Sequence, residues 1–172
     1  MTNGVVLLMG VSGSGKSTIG HLLAERLDWD FLDGDDFHPP ENIAKMAQGI
    51  PLNDDDRWPW LNRIRQAIEQ RLETQQGAVF ACSALKHSYQ ERLIDGLDGV
   101  CLVYLRGSFE LIEERLRQRQ SHFMPTALLR SQFDALEEPG DALIVEIGLS
   151  PDEIVREIVD VVKARTTTPT PR

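Results

Sequence analysis

The 172-residue chain has no apolar run approaching the roughly 18 residues that a membrane-spanning helix needs. Its first residues also lack the basic start and long apolar stretch of a secretory signal, so a cytoplasmic location is expected. Positive charge is in deficit: 18 Lys and Arg stand against 27 Asp and Glu, a net charge of -9. That balance repels phosphate backbones and anionic lipid, and it argues against nucleic acid or a membrane as partner. Cys82 and Cys101 are the only cysteines. Neither belongs to a Cys-x-x-Cys and both fall in apolar runs, which reads as reduced core thiols. The four histidines, His21, His38, His87 and His122, lack the spacing of zinc ligands. No repeat or linker divides the chain. A single domain over residues 1–165 is expected, followed by a disordered Thr/Pro tail at 166–172 that has little to bury.

Short apolar runs at 5–9, 31–32, 78–82, 100–105 and 142–147 alternate with longer amphipathic stretches. This is the pattern of βαβ units, and it predicts an α/β fold with five strands in a mostly parallel sheet. Helical periodicity runs over 16–27 (Ile19, Leu22, Leu23, Leu27), 60–72 (Leu61, Ile64, Ile68, Leu72) and 108–119 (Leu111, Ile112, Leu116). A last helix is announced by Ser150, Pro151 and Glu153, an N-cap, a first-turn proline and a capping-box partner ahead of Ile154, Ile158 and Val162.

Immediately after the first run, Gly10-Val11-Ser12-Gly13-Ser14-Gly15-Lys16-Ser17 satisfies G-x-x-x-x-G-K-[ST] without a mismatch, with Thr18 following as the helix begins. Glycines let the backbone curl so that successive N–H groups point at one anion, and the helix N-terminus adds partial positive charge. Lys16 is placed to reach the β- and γ-phosphates of a nucleoside triphosphate, and the Ser17 hydroxyl to hold Mg²⁺.

A phosphate loop serves kinases, GTPases and motor ATPases alike, so the reaction must be read elsewhere. The chain has no Asn-Lys-x-Asp guanine reader and no apolar run ending in the Asp-Glu pair of motor ATPases. Instead the second strand runs into Asp33-Gly34-Asp35-Asp36, at the sheet edge where doubly wound folds bind ligands. One carboxylate there can serve Mg²⁺, and another, two residues on, can orient an acceptor hydroxyl toward the γ-phosphate. Strand alternation makes Asp33 and Asp35 face the same way. From Asp28 to Asp56 there are nine acids and one cation, Lys45; Arg57 and Trp58-Pro59-Trp60 follow. Such a segment suits a polyhydroxylated acceptor with at most one negative charge, for which Arg57 and Lys86 are the candidate cations. Farther on, Arg115, Arg117 and Arg119 cluster ahead of Ser121-His122-Phe123-Met124. Arg115 and Arg119, four apart, share a helix face and could meet a nucleotide, or they could simply pair with Glu110, Glu113 and Glu114.

Taken together, Met9 to Thr18 (MGVSGSGKST), FLDGDDFHP at 31–39, NIAKM at 42–46, GIPLNDDDRWPWL at 49–61, CSALK at 82–86, His122-Phe123-Met124, Ser131-Gln132-Phe133 and Glu138-Pro139 resemble the gluconate kinases. These are small P-loop kinases related in architecture to shikimate and adenylate kinases. The resemblance implies a three-layer P-loop fold with a small helical lid near 118–135, ATP and Mg²⁺ as cofactors, and transfer of the γ-phosphoryl group to the 6-hydroxyl of D-gluconate. It implies Asp33 and Ser17 near Mg²⁺, Asp35 as the residue that orients and deprotonates the acceptor, and Arg57, Lys86 and His122 on the acceptor. It further implies Arg115 against the adenine, Arg119 as the lid arginine, and a homodimer. Gln90 and Ile94 stand where the family pattern has Arg, with Arg92 the neighbouring cation. The residues by themselves leave open a kinase for another sugar acid or polyol, a nucleoside monophosphate kinase, and a nucleotide-binding regulatory module.

Overall fold

The computed structural model describes residues 4–119 and 125–167. Five strands, β1 (Val5–Met9), β2 (Asp30–Asp33), β3 (Ala78–Ala81), β4 (Val100–Arg106) and β5 (Leu143–Glu146), form one sheet in the order β2-β3-β1-β4-β5. Every pairing is parallel, with Val5 opposite both Ala78 and Val100. Parallel strands need crossovers, and these are the helices α1 (Lys16–Leu27), α2 (Pro40–Ala47), α3 (Asp54–Glu73), α4 (His87–Ile94), α5 (Phe109–Gln118), α6 (Thr126–Ala135) and α7 (Pro151–Thr167).

β1 reads as an unbroken apolar run because both of its faces are covered. Val5, Leu7 and Met9 join Trp60, Leu61, Ile64 and Ile68 of α3 and Tyr89 and Leu93 of α4 on one side. Val6 and Leu8 meet Ile19 and Leu23 of α1, Ile112 of α5, Leu129 of α6 and Ile154 and Ile158 of α7 on the other. This is the three-layer α/β/α arrangement expected, with a sheet that is wholly parallel. Cys82 and Cys101 are buried free thiols, as expected.

Three boundaries differ from the sequence reading. The helix expected from residue 60 starts at Asp54, because Asn53 and Asp56 close a capping box: Asn53 Oδ1 accepts from the Asp56 N–H at 2.8 Å, and Asp56 Oδ2 from the Asn53 N–H at 3.0 Å. Pro59 therefore lies inside the helix rather than at its start. α7 continues to Thr167, two residues beyond the boundary drawn at 165; residues 168–172 lie outside the described residues. The expected strand alternation of Asp33 and Asp35 is also replaced. β2 stops at Asp33, whose carboxylate accepts from the Asp35 N–H at 2.9 Å and caps a 3₁₀ turn, Gly34–Phe37.

Candidate active site

The C-terminal edge of the sheet carries the phosphate loop between β1 and α1. Gly13 and Gly15 have φ of 81° and 97°, a region that L side chains avoid. At Gly13 space matters too: a Cβ would lie 2.9 Å from Leu116 and 3.1 Å from Ile112, so the loop rests directly on α5. Lys16 folds back over the loop, its Nζ donating to the carbonyls of Gly10 (2.8 Å) and Val11 (3.1 Å). Loss of water around the ammonium pulls its pKa down to about 8, against the upward pull of the Cys82 thiol, Asp35 and Asp33; Arg119 lowers it further. Val11 and Ser14 are buried, while Ser17 and Thr18 are exposed at the first turn of α1. Ser14 Oγ is buried with no hydrogen-bond partner among the described residues.

The capped turn after β2 holds Asp35 near enough to Lys16 for their charges to act on each other. The protein wall behind it removes water from one side, and this together with the neighbouring Asp33 raises its carboxyl above the ordinary value; His38 and Lys16 oppose the rise. The turn is pinned from behind. Trp60 Nε1 donates to the Gly34 carbonyl at 2.7 Å, and the indole stacks on His38 with centroids 4.3 Å apart. Asn42 Nδ2 donates to His38 Nδ1 at 3.2 Å and to the Asp56 carbonyl at 2.9 Å, joining α2 to the start of α3. Burial holds the His38 pKa below its usual value. Lys45 is spent on Asp56, reaching both carboxylate oxygens at 2.8 Å.

Arg57 and Lys86 come together around Tyr89. The guanidinium carbon lies 5.7 Å and the Lys86 Nζ 5.4 Å from the centre of the ring. Arg57 donates to the Tyr89 hydroxyl at 3.1 Å, and that hydroxyl donates to Asp54. Asp54 in turn lies 3.7 Å from Arg57 and 3.6 Å from Lys86. Neither Tyr89 nor Asp54 stands out in the sequence, because their link spans 35 positions; the one local sign is a polar aromatic beside Gln90. Gln90 is buried and donates to the carbonyls of Ala84 and Glu137, both at 3.0 Å. Arg92 lies over the Trp58 ring at 5.6 Å.

The arginine cluster divides. α5 ends at Gln118, and Arg119 is its C-cap in extended conformation, so Arg115 and Arg119 do not share a helix face as expected. Arg119 nevertheless stays near enough for its charge to act on Lys16. Arg115 donates to the Ile147 carbonyl at 2.5 Å, just past β5, while Arg117 pairs with Glu113 at 3.0 Å. His122 lies outside the described residues.

A phosphate loop with an acidic turn and a cation pair across the same edge is the layout of a small-molecule phosphotransferase. The family model described as an AAA domain matches residues 5–139. Thermoresistant gluconokinase of Escherichia coli (strain K12) is 44% identical over 163 residues, covering 92% of this chain and 93% of that protein. The chain belongs to the gluconokinase family. Gluconokinase of Arabidopsis thaliana is likewise 44% identical, with 94% of both chains covered. The crystal structure of a gluconokinase from Sinorhizobium meliloti 1021 superposes with a TM-score of 0.82 at 43% identity, covering 96% of this chain and 94% of that one. At the position where the gluconokinase pattern stated above has Arg, Gln90 is a buried tether between the carbonyls of Ala84 and Glu137.

Proposed function

We propose that this chain is an ATP-dependent gluconokinase, converting D-gluconate and ATP to 6-phospho-D-gluconate and ADP. The reading is carried by Asp35, held on the turn that Asp33 caps and within range of the Lys16 charge in the phosphate loop. In this account the loop from Gly10 to Thr18 and Lys16 hold the triphosphate, Arg115 lies along the adenine, and Arg119, just past the end of α5, approaches the transferring group; residues 120–124 of the expected lid lie outside the described residues. Asp35 accepts the proton of the 6-hydroxyl as that oxygen attacks the γ-phosphorus and the bond to the ADP oxygen breaks. Arg57 and Lys86, with His122, hold the acceptor, the two cations taking its carboxylate.

Magnesium fits the donors present. Among the described residues no three of His, Cys, Asp and Glu cluster into a cage, but Mg²⁺ at phosphates uses one or two protein oxygens together with phosphate and water. The exposed Ser17 hydroxyl and the second oxygen of Asp33, whose first accepts from Asp35, match that donor set. Ser17 and Asp33 would hold the ion there, where it would supply neutralisation of the charge on the phosphates.

We place the protein in the cytoplasm, as a homodimer working with small molecules, and as one P-loop domain that takes in the whole of α7. Two buried unpaired thiols suit a reducing compartment. No helix among the described residues is long and apolar enough to cross a membrane. The test is kcat/KM across gluconate, shikimate, glycerate and glucose, with AMP and CMP as further acceptors. Gluconate is expected to be best. Preference for the neutral sugar would remove the carboxylate clamp, and robust turnover of AMP or CMP would move the chain to the nucleoside monophosphate kinases.

A further inference from the structure

Gln132, on α6, reaches across to the phosphate loop although it has no part in the reaction just described. Its Oε1 accepts from the Ser12 main-chain N–H at 2.8 Å, and its Nε2 donates to Ser12 Oγ at 3.1 Å. A carboxamide is suited to this, accepting at one atom and donating at the other. The loop's own bonds nearby are a local turn, Ser14 N–H to Val11 O at 3.2 Å, and Gly10 N–H to Ser83 O at 3.3 Å. Ser12, at the crest, is therefore fixed from outside by Gln132.

The helix that carries Gln132 is itself anchored. Leu129 is buried, Phe133 meets Phe109 edge-on at 5.5 Å, and Arg130 lies over the Phe109 ring at 4.3 Å. Just beyond its end, the Glu137 N–H donates to Leu85 O at 2.6 Å and the Glu137 carboxylate accepts from the His87 N–H at 2.9 Å. Residues 132–137 thus run from the crest of the phosphate loop to the segment bearing Lys86 and Tyr89.

We propose that Gln132 is a positioning residue, fixing Ser12 so that the terminal phosphate of ATP stays in register with the acceptor held on the other end of the same strut. The proposal rests on reading the loop as an ATP site. It makes Gln132 sensitive to the number of phosphates present, which a residue that merely stabilised α6 would not be.

Two substitutions separate these roles. Gln132→Glu keeps the size and the acceptor atom but sets a negative charge beside the loop crest. Gln132→Met removes both hydrogen bonds. Calorimetry with a non-hydrolysable ATP analogue and with ADP is expected to show Gln132→Glu weakening the analogue by about tenfold and ADP by less than about threefold. Steady-state kinetics of Gln132→Met should show kcat lowered about tenfold with the KM for gluconate changed by less than about twofold. Ser12→Ala deletes one of the two bonds without touching α6; it should reproduce part of the kcat loss, and add nothing in the Gln132→Met background. Equal weakening of ATP analogue and ADP, or a Gln132→Met protein altered only in melting temperature, overturns the proposal. Should the wild-type protein phosphorylate no sugar acid, the functional reading fails, while the comparison of analogue with ADP still decides the role of Gln132.

Discussion

Trp60 donates its indole N–H to the carbonyl of Gly34 at 2.7 Å, so a core residue of α3 holds the turn on which Asp35 stands. The bond is buried, and Gly34 has no room to adjust: a Cβ there would lie 2.6 Å from the Ala81 carbonyl. Trp60→Phe leaves that carbonyl without its donor and also shrinks the stacking surface for His38. A loss of about 1–3 kcal/mol is expected in urea unfolding. Because the loosened turn also carries Asp35, kcat should fall more than the affinity for ATP. Unchanged stability would show that the Gly34 carbonyl finds another donor.

Lys16, with its pKa drawn down to about 8 from 10.5, predicts proton-linked nucleotide binding. In the free protein the ammonium loses its proton above about pH 8, and the triphosphate favours the charged form. ATP binding should therefore take up a proton increasingly between about pH 7 and about pH 9, visible as a dependence of the calorimetric heat on the buffer's ionisation enthalpy. Lys16→Met should lack this rise. The sign for folding is also fixed: between about 8 and 10.5 the folded chain binds fewer protons at this site than the unfolded chain, so this group makes stability increase with pH across that window.

Asp35 is raised first by loss of water and then by Asp33. The acid limb of kcat/KM against pH should accordingly lie above the ordinary aspartate value of 3.8. Asp33→Asn removes the like charge yet keeps an oxygen to accept the Asp35 N–H, so the limb is expected to move to lower pH whatever happens to its height. A limb that stays in place would assign it to another group. Asp35→Asn should lower kcat by about 10²–10⁴.

Tyr89 sets the direction of Arg57, since its hydroxyl accepts from the guanidinium and donates its own O–H to Asp54. Tyr89→Phe retains the ring beneath both cations and removes only that link. The KM for gluconate should rise by about two- to tenfold, in line with one hydrogen bond, with little change in the KM for ATP. Arg57→Lys should cost more, because a single ammonium cannot grip a carboxylate with two parallel donors. A change confined to the KM for ATP would separate Tyr89 from the acceptor.

What could be read in advance was what depends on neighbours in sequence. The α1 bounds follow from the loop motif and the stripe of Ile19, Leu22, Leu23 and Leu27. The start of α7 follows from Ser150 and Glu153, which exchange hydrogen bonds at 2.9 and 3.3 Å. The start of α3 was misplaced because Pro59 looks like a first-turn proline, whereas the Asn53–Asp56 capping box six residues earlier decides the matter. The strand alternation expected of Asp33 and Asp35 fails because β2 ends at Asp33, and a cap joins the two residues instead. The links that complete the site, Gln132 to Ser12 and Tyr89 to Arg57 and Asp54, join residues 32 to 120 positions apart. No local pattern carries such a contact, and Ser131-Gln132-Phe133 stood out only as a block of family resemblance.

The most direct test of the account is the position of the new phosphate ester. Incubated with ATP, Mg²⁺ and D-gluconate, the protein should yield one equivalent of ester per ADP, with the ³¹P signal coupled to the C6 protons, and Asp35→Asn should make it far more slowly. ADP formed without an ester, or an ester on another carbon, would contradict the claim that Asp35 aims the 6-hydroxyl at the terminal phosphate.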